Sequence, residues 1–308
     1  MSNNKLILIF FSLIIVLVVS FFLALGYGNA QIPLDQIIDI VINPGTANYA
    51  DDTEALHDII WLLRMPRIIL AVCVGAGLAV CGVVMQAIVK NPLADPYILG
   101  ISLLVLFIAN LGGPANSVKL LLAGMALSAI CSAFSSFIVY FANNMEGIQT
   151  ITYWLMGSLA GASWPLLYKL IPLTLICILL LWSQAKILNL MLLGDDTALT
   201  LGYNLKLYRQ LYLIITSLII GAIVYSAGVL GFVGLLIPHL VRMLIGTDHK
   251  YLVPMSALVG AIFLIISDLC CRIILPRTEL PIGLLISLIG APTFIYMMIR
   301  KTYSFGSK

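Results

Sequence analysis

The stretch RIILAVCVGAGLAVCGVVMQAI, residues 67–88, decides the fold class. Between Arg67 and Lys90 it carries no charge. About 20 such residues in a helix cover the hydrocarbon thickness of a bilayer, at 1.5 Å of rise per residue. Within it, Gly75, Ala79 and Gly82 recur at spacings of four and three, which stacks small side chains on one helix face. Small faces of this kind let another helix approach closely where lipid offers no hydrophobic drive for association.

Similar apolar stretches lie at 6–27, 120–142, 166–183, 211–228, 252–272 and 281–299, with shorter ones at 97–110 and 231–245. The chain of 308 residues is 62% hydrophobic and only 9% charged, and its mean hydropathy is +1.11. No soluble core needs that composition. The polar gaps are short, so 1–308 reads as a single transmembrane domain, and any ATPase site must lie on another chain. The first apolar run is longer than the roughly 7–15 residues of a signal peptide core, so a retained first span is expected.

Charge sets an orientation. With the N-terminus in the cytoplasm, Lys5, Lys90, Lys119, Lys186, Lys206, Arg209, Arg242, Lys250, Arg300, Lys301 and Lys308 fall inside. Arg64, Arg67, Lys169, Arg272 and Arg277 fall outside, with the acidic run Asp51, Asp52, Glu54 and Asp58. This is the bias of the positive-inside rule, and it accounts for the net charge of +3 without any role for nucleic acid.

Asp268 and Arg272 are the clear case of charge within a span, and their i, i+4 spacing puts them on one face as a structural pair. Cys73, Cys81, Cys131, Cys177, Cys270 and Cys271 lie in or beside apolar runs without ligand spacing, and read as small packing residues. Glycine and proline interrupt several spans, at Gly228-Val229-Leu230-Gly231, Pro238 and Gly290-Ala291-Pro292. A kink and an irregular segment beside a pathway are both open there. His57, His239 and His249 are scattered and have no Cys or acidic companion at ligand spacing, which argues against a membrane-embedded enzyme. An ion-coupled secondary transporter would want an intramembrane relay of acids or histidines and usually a repeat of the spans. Neither is found.

Three blocks carry a more specific signal. They are RMPRIILAVCVGAGLAVCGVVMQAIVKNPLADPYILGIS (64–102); LLLAGMALSAICSAF (120–134) with YWLMGSLAGASW (153–164); and GFVGLLIPHLVRMLIGTDH (231–249) running on to ELPIGLLISLIGAPTF (279–294). In order and length they resemble the permease family of ABC importers for iron-siderophores, haem and cobalamin. The resemblance implies an all-α polytopic bundle of the type II importer kind in the bacterial inner membrane, with both termini cytoplasmic. It implies four partners besides the lipid bilayer: a second copy of the permease, two cytoplasmic ATPase subunits, and a periplasmic substrate-binding protein. ATP and Mg would be bound by the ATPase and no cofactor by this chain.

The resemblance also assigns residues. Arg64, Arg67 and Arg272 occupy positions where the family receives acidic residues of the binding protein, a task that suits the planar guanidinium fork. GDDTALTLGYNL (194–205), opening at Gly194, resembles the segment that sits in a cleft of the ATPase: Asp195 or Asp196 would cap the start of a short helix, Gly202 would end it, and Ala198, Leu199 and Leu201 would offer an apolar face. Asn91, Pro92, Leu93 and Ser117 fall at the family's cytoplasmic gate, although prolines such as Pro92 also serve plain turns. Gly124, Ser128, Ser132 and Ser135 suit pathway lining or dimer packing.

One segment departs from the pattern. Between the NPLADP turn and the LLLAG motif the family crosses the membrane twice, which takes about 40 residues, and this chain has 22, Tyr97 to Val118. A single crossing would invert every later span against the charge bias. The expectation is therefore a shortened or re-entrant piece, with LLVLFIAN (103–110) as its remnant, and about eight full spans. A permease impaired in transport by an internal deletion is the alternative that this shortening raises.

Overall fold

The computed structural model describes residues 3–28, 31–42, 51–91, 108, 117–141, 145–275 and 278–299. Those residues form helices and connections with no strand among them: α1 (Asn3–Gly26), α2 (Leu34–Ile42), α3 (Asp51–Asp58), a π-helical turn (Ile59–Arg64), α4 (Met65–Val89), α5 (Ser117–Phe141), α6 (Met145–Leu155), α7 (Trp164–Ser183), α8 (Ala185–Leu193), α9 (Asp195–Thr200), α10 (Leu205–Ala227), α11 (Val233–Ile245), α12 (His249–Ile273) and α13 (Ile282–Ile299). Among the described residues six helices are long and apolar enough to cross a membrane: α1, Ala55–Val89 running from α3 through α4, α5, α7, α10 and α12. Residues Val233–Ile245 and Ile282–Met297 form shorter apolar helices. Apart from Ile108, the expected remnant at 103–110 lies outside the described residues.

The bundle is built around α4. Nearly every residue from Met65 to Val89 is buried, and α4 packs against α12 along its length and also against α11, α10 and α7. The small-residue face predicted from 67–88 is what permits this. A Cβ on Gly75 would collide with the Gly260 carbonyl of α12, and a Cβ on Gly260 with the Gly75 carbonyl. Two turns further along, a Cβ on Gly82 would land on the carbonyl of Gly234 in α11. Backbone therefore meets backbone at two levels of the same helix, a separation that only glycine allows. Gln86, fully buried near the end of α4, donates from Nε2 to the Leu235 carbonyl at 3.2 Å and ties the second crossing.

Of the predicted interruptions, the 228–231 break is a true gap between helices. Gly228 takes φ +72, and its backbone lies so close to the Trp154 carbonyl that no side chain fits. Ser158 N–H donates to the Ala227 carbonyl at 2.9 Å, so the non-helical 156–163 segment partners the end of α10 immediately before the break. This is the condition for irregular backbone at membrane depth. Pro238 and Pro292 stay inside helices. His239 is buried within α11. Cys73, Cys81, Cys177 and Cys271 are buried in the core as packing residues.

Replacing Gly82 with Val is expected to cost at least the roughly 1–3 kcal/mol of an overpacked core, because the added atoms meet backbone. Gly221, in α10 with open space around it, should accept Ala without loss. Thermal unfolding of the detergent-purified variants checks both. A Gly82→Val protein as stable as Gly221→Ala would refute the close crossing.

Candidate functional site

Two clusters of charge sit at opposite ends of α4. At its first end, the π-helical turn delivers Arg64, and Arg67 follows one turn later. Despite their charge, Arg64 and Arg272 are each only 7% exposed. Arg64 donates from Nη1 to the Leu25 carbonyl. Arg272 donates from Nη2 to the Ala24 carbonyl at 3.2 Å and from Nη1 to the Tyr27 carbonyl at 3.4 Å. Both guanidinium groups thus cap the last turn of α1, where carbonyls lack intrahelical donors and the helix dipole favours cations. Gly28 lies against both: a Cβ there would sit 3.2 Å from Arg64 Nη2 and 3.5 Å from Arg272 Nη1.

Carboxylates complete the cluster. Asp268 Oδ1 accepts from Arg67 Nε at 2.8 Å, and its Oδ2 stands 3.1 Å from Arg272 Nε. The pair anticipated from i, i+4 spacing is therefore a bridge that also holds Arg67. Glu279, on the connection into α13, accepts from Arg67 Nη1 at 2.8 Å and 3.0 Å with its two oxygens. A third layer is aromatic: Trp61 donates to the Ile40 carbonyl at 3.1 Å and Trp164 to the Trp61 carbonyl at 2.8 Å. The three arginines named from sequence are brought together here. Sequence reading missed Glu279, although it opens the ELPIG motif, because its partner is 212 residues away.

The other end holds the short helix α9. Its C-terminus forms as predicted: Gly202, at φ +83, donates to the Leu199 carbonyl at 2.9 Å and Tyr203 donates to the Ala198 carbonyl at 2.9 Å. That pair of bonds is the Schellman arrangement. The start differs from expectation. Gly194 is the N-cap residue and no side chain caps the helix. Asp195 turns instead to Arg209 of α10, whose Nη2 donates to its two oxygens at 2.9 Å and 3.2 Å, and to Lys90 Nζ at 3.8 Å. A carboxylate in the first turn with two cations beside it gains more from them than from one backbone N–H. Asp196 is exposed. The apolar face is also smaller than predicted: Ala198 is fully buried, while Leu199 and Leu201 are 65% and 57% exposed and Tyr203 joins them.

Asn91 follows α4, with its N–H on the Gln86 carbonyl at 3.2 Å. Pro92 and Leu93 lie outside the described residues, and Ser117 opens α5. Along α5, Gly124 is buried, whereas Ser128, Ser132 and Ser135 line a cavity of about 1020 Å³ together with Thr152, Gly221 and Val229. Ser135 donates to the Cys131 carbonyl of its own helix at 3.0 Å. Among the described residues no group of three or more His, Cys, Asp or Glu is arranged to hold a metal ion.

The profile of the FecCD transport family matches residues 16–104 and 101–300. The chain belongs to the FecCD transport family. The two matched pieces meet inside the short segment between α4 and α5, where the sequence departs from the family pattern. This FecCD permease is 39% identical over 280 residues to the hemin transport system permease protein HmuU of Yersinia pestis, covering 79% of this chain and 84% of that protein. It is 34% identical to the ABC transporter permease protein YvrB of Bacillus subtilis over 92% of this chain and 91% of that one. The vitamin B12 import system permease protein BtuC of Salmonella typhi is 36% identical over 79% and 84%. A solved structure, described as an inward-facing conformation of a metal-chelate type ABC transporter, superposes with a TM-score of 0.79 at 32% identity and covers 95% of this chain and 99% of its own. The FecCD permease is thus a multi-pass ABC importer subunit, a transport protein and not an enzyme.

Asp268→Asn should destabilise the permease by about 3–5 kcal/mol, since it leaves two buried guanidinium groups facing each other without their shared anion. The midpoint of thermal unfolding measures this. An unchanged midpoint would mean that the bridge is not structural.

Proposed function

We propose that this permease carries a bulky metal chelate from periplasm to cytoplasm, with an iron-siderophore as the primary substrate class and haem and cobalamin as alternatives. The relatives named for hemin and vitamin B12 and the metal-chelate neighbour support the class. One observation carries the mechanism: a single rod, α4, bears an arginine cluster at one end and touches the short helix α9 at the other.

In this reading the arginine end faces the periplasm, and Arg64, Arg67 and Arg272 receive a substrate-binding protein. Both termini are cytoplasmic. Leu199, Leu201 and Tyr203 offer the exposed apolar face that enters the cleft of an ATPase subunit, and Asp195 links that helix to α4 through Lys90 and to α10 through Arg209. Two permease copies and two ATPase subunits make the complex. ATP and Mg are bound by the ATPase, and hydrolysis there rocks the permeases between outward and inward openings. Asn91, Pro92, Leu93 and Ser117 close the cytoplasmic end, and the hydroxyl-lined face of α5, with Gly124, serves the pathway or the contact between copies.

Uptake of labelled ferric siderophores, haem and cobalamin in cells carrying the chain with its partners tests the reading. Uptake should vanish when the partner ATPase is deleted. Uptake that survives this deletion and follows the proton gradient would instead make the chain an ion-driven carrier. A sharper variant is Gly202→Ile, which forces a β-branched residue to positive φ and should abolish uptake while insertion stays normal. Gly202→Asn, which tolerates that conformation, should keep most of it. Equal uptake by both would remove α9 from the coupling path.

A further inference from the structure

The arginine cluster already contains an anion placed where a docking partner's carboxylate would bind. Arg67 divides its donors between two acids. Its Nε is held by Asp268, whose side chain is 2% exposed and which also faces Arg272. Its Nη1 is held by Glu279, whose side chain is 42% exposed. The two acids therefore differ in kind. Removing Asp268 breaks a buried bridge; removing Glu279 uncovers an arginine and leaves the bridge intact.

Charge points the same way. Among the described residues the cluster holds three guanidinium groups and two carboxylates, and loss of the Glu279 charge makes it one unit more cationic. The Glu279 pair is also the weaker contact to hold in water, because a part-exposed ion pair is screened and contributes little. Both Glu279 oxygens share the single nitrogen Nη1, at 3.0 Å and 2.8 Å, so the pair is bifurcated and falls short of the two-nitrogen fork that a guanidinium offers to an incoming carboxylate. Glu279 sits on the connection between α12 and α13, where the N–H of its neighbour Leu280 reaches the Cys271 carbonyl at 3.3 Å.

We propose that Glu279 is a resident place-holder on Arg67, which an acidic side chain of the periplasmic binding protein displaces on docking, so that Glu279 sets the strength and salt sensitivity of that contact. This rests on the docking reading given above. An intramolecular competitor lowers the apparent affinity of the partner by the free energy of its own pair. It also keeps the Nη1 of Arg67 satisfied between encounters, which favours release after delivery.

The test uses the permease with its ATPase in lipid nanodiscs and the binding protein that supports uptake with it. Glu279→Gln keeps the shape and removes the charge, and should bind that protein about threefold more tightly at low salt, the scale of one displaced part-exposed ion pair. Arg67→Lys keeps charge but loses the fork, and should bind it more weakly. If Arg67→Lys weakens docking while Glu279→Gln weakens it or leaves it unchanged, the place-holder is overturned and the docking site stands. If docking is indifferent to Arg67→Lys, the docking site itself falls and the place-holder with it. A second readout needs no partner: phenylglyoxal should modify Arg67 several-fold faster in Glu279→Gln and in Glu279→Ala, measured by peptide mass spectrometry. Unchanged labelling in variants that unfold at the wild-type temperature would overturn the proposal.

Discussion

Contact between the backbones of α4 and its neighbours is the constraint on which the rest depends. Lipid tails are as apolar as leucine, so burying apolar surface gives two membrane helices little reason to associate. Dispersion between closely fitted atoms and short polar contacts must supply the attraction, and both grow as the axes approach. Gly75 against Gly260 and Gly82 against Gly234 bring α12 and α11 to α4 at two levels. Ala79 lies beside the first crossing, close to where a Cβ on Gly260 would be. With three helices fixed in this way, the residues at the ends of α4 have few positions open to them, and both charged clusters inherit their geometry from the crossings.

The arginine end shows how a costly arrangement becomes tolerable. Burying three guanidinium groups within one cluster is unfavourable by itself, and a lone anion such as Asp268 would not offset it. Carbonyls at the end of α1 make up the difference: Ala24 and Leu25 in its last turn, which the helix cannot satisfy internally, and Tyr27 just beyond it accept from the arginines. The arginines therefore fix α1 to the α4–α12 pair while they answer each other's charge through Asp268 and Glu279. Arg64 and Arg272 are occupied by this structural task and buried, while Glu279 on Arg67 stays part-exposed, so the proposed docking would engage the cluster at its Glu279 side.

Much of this was legible in sequence where the physics is local. Hydropathy gives the spans, the spacing of Gly75, Ala79 and Gly82 gives the crossing face, the i, i+4 spacing gives Asp268 with Arg272, and a glycine after a short helix gives its end. What escaped depends on tertiary placement. Arg64 and Arg272 bond backbone carbonyls, which carry no residue-type signal at all. Asp195 was read as a cap because local rules favour it, but Lys90 and Arg209 arrive from two other helices and outbid the backbone. Ala198 was counted on the docking face although it lies on the buried side of α9, since six residues are too few to define a face by periodicity. The length of 97–118 flagged a departure from the family pattern, and the family match divides in that same segment.

In the proposed cycle, these contacts decide which parts can move together. Sliding α4 along α12 by even a fraction of a turn would drive the Gly75 and Gly260 carbonyls into neighbouring side chains, so the pair moves as one body. Helix α11 is held to the same body by Gly82 and by Gln86. The backbone has left helical geometry elsewhere, at 156–163 and 228–232, where Gly157 and Gly228 adopt positive φ and Ser158 bonds the Ala227 carbonyl just before the second break. Force entering at α9 reaches α4 through the Lys90 contact and α10 through Arg209, and α10 ends at the 228–232 break. Relative motion between α10 and the α4–α11–α12 block must therefore be absorbed at that break, which is also where the hydroxyl-lined cavity beside α5 closes against Val229.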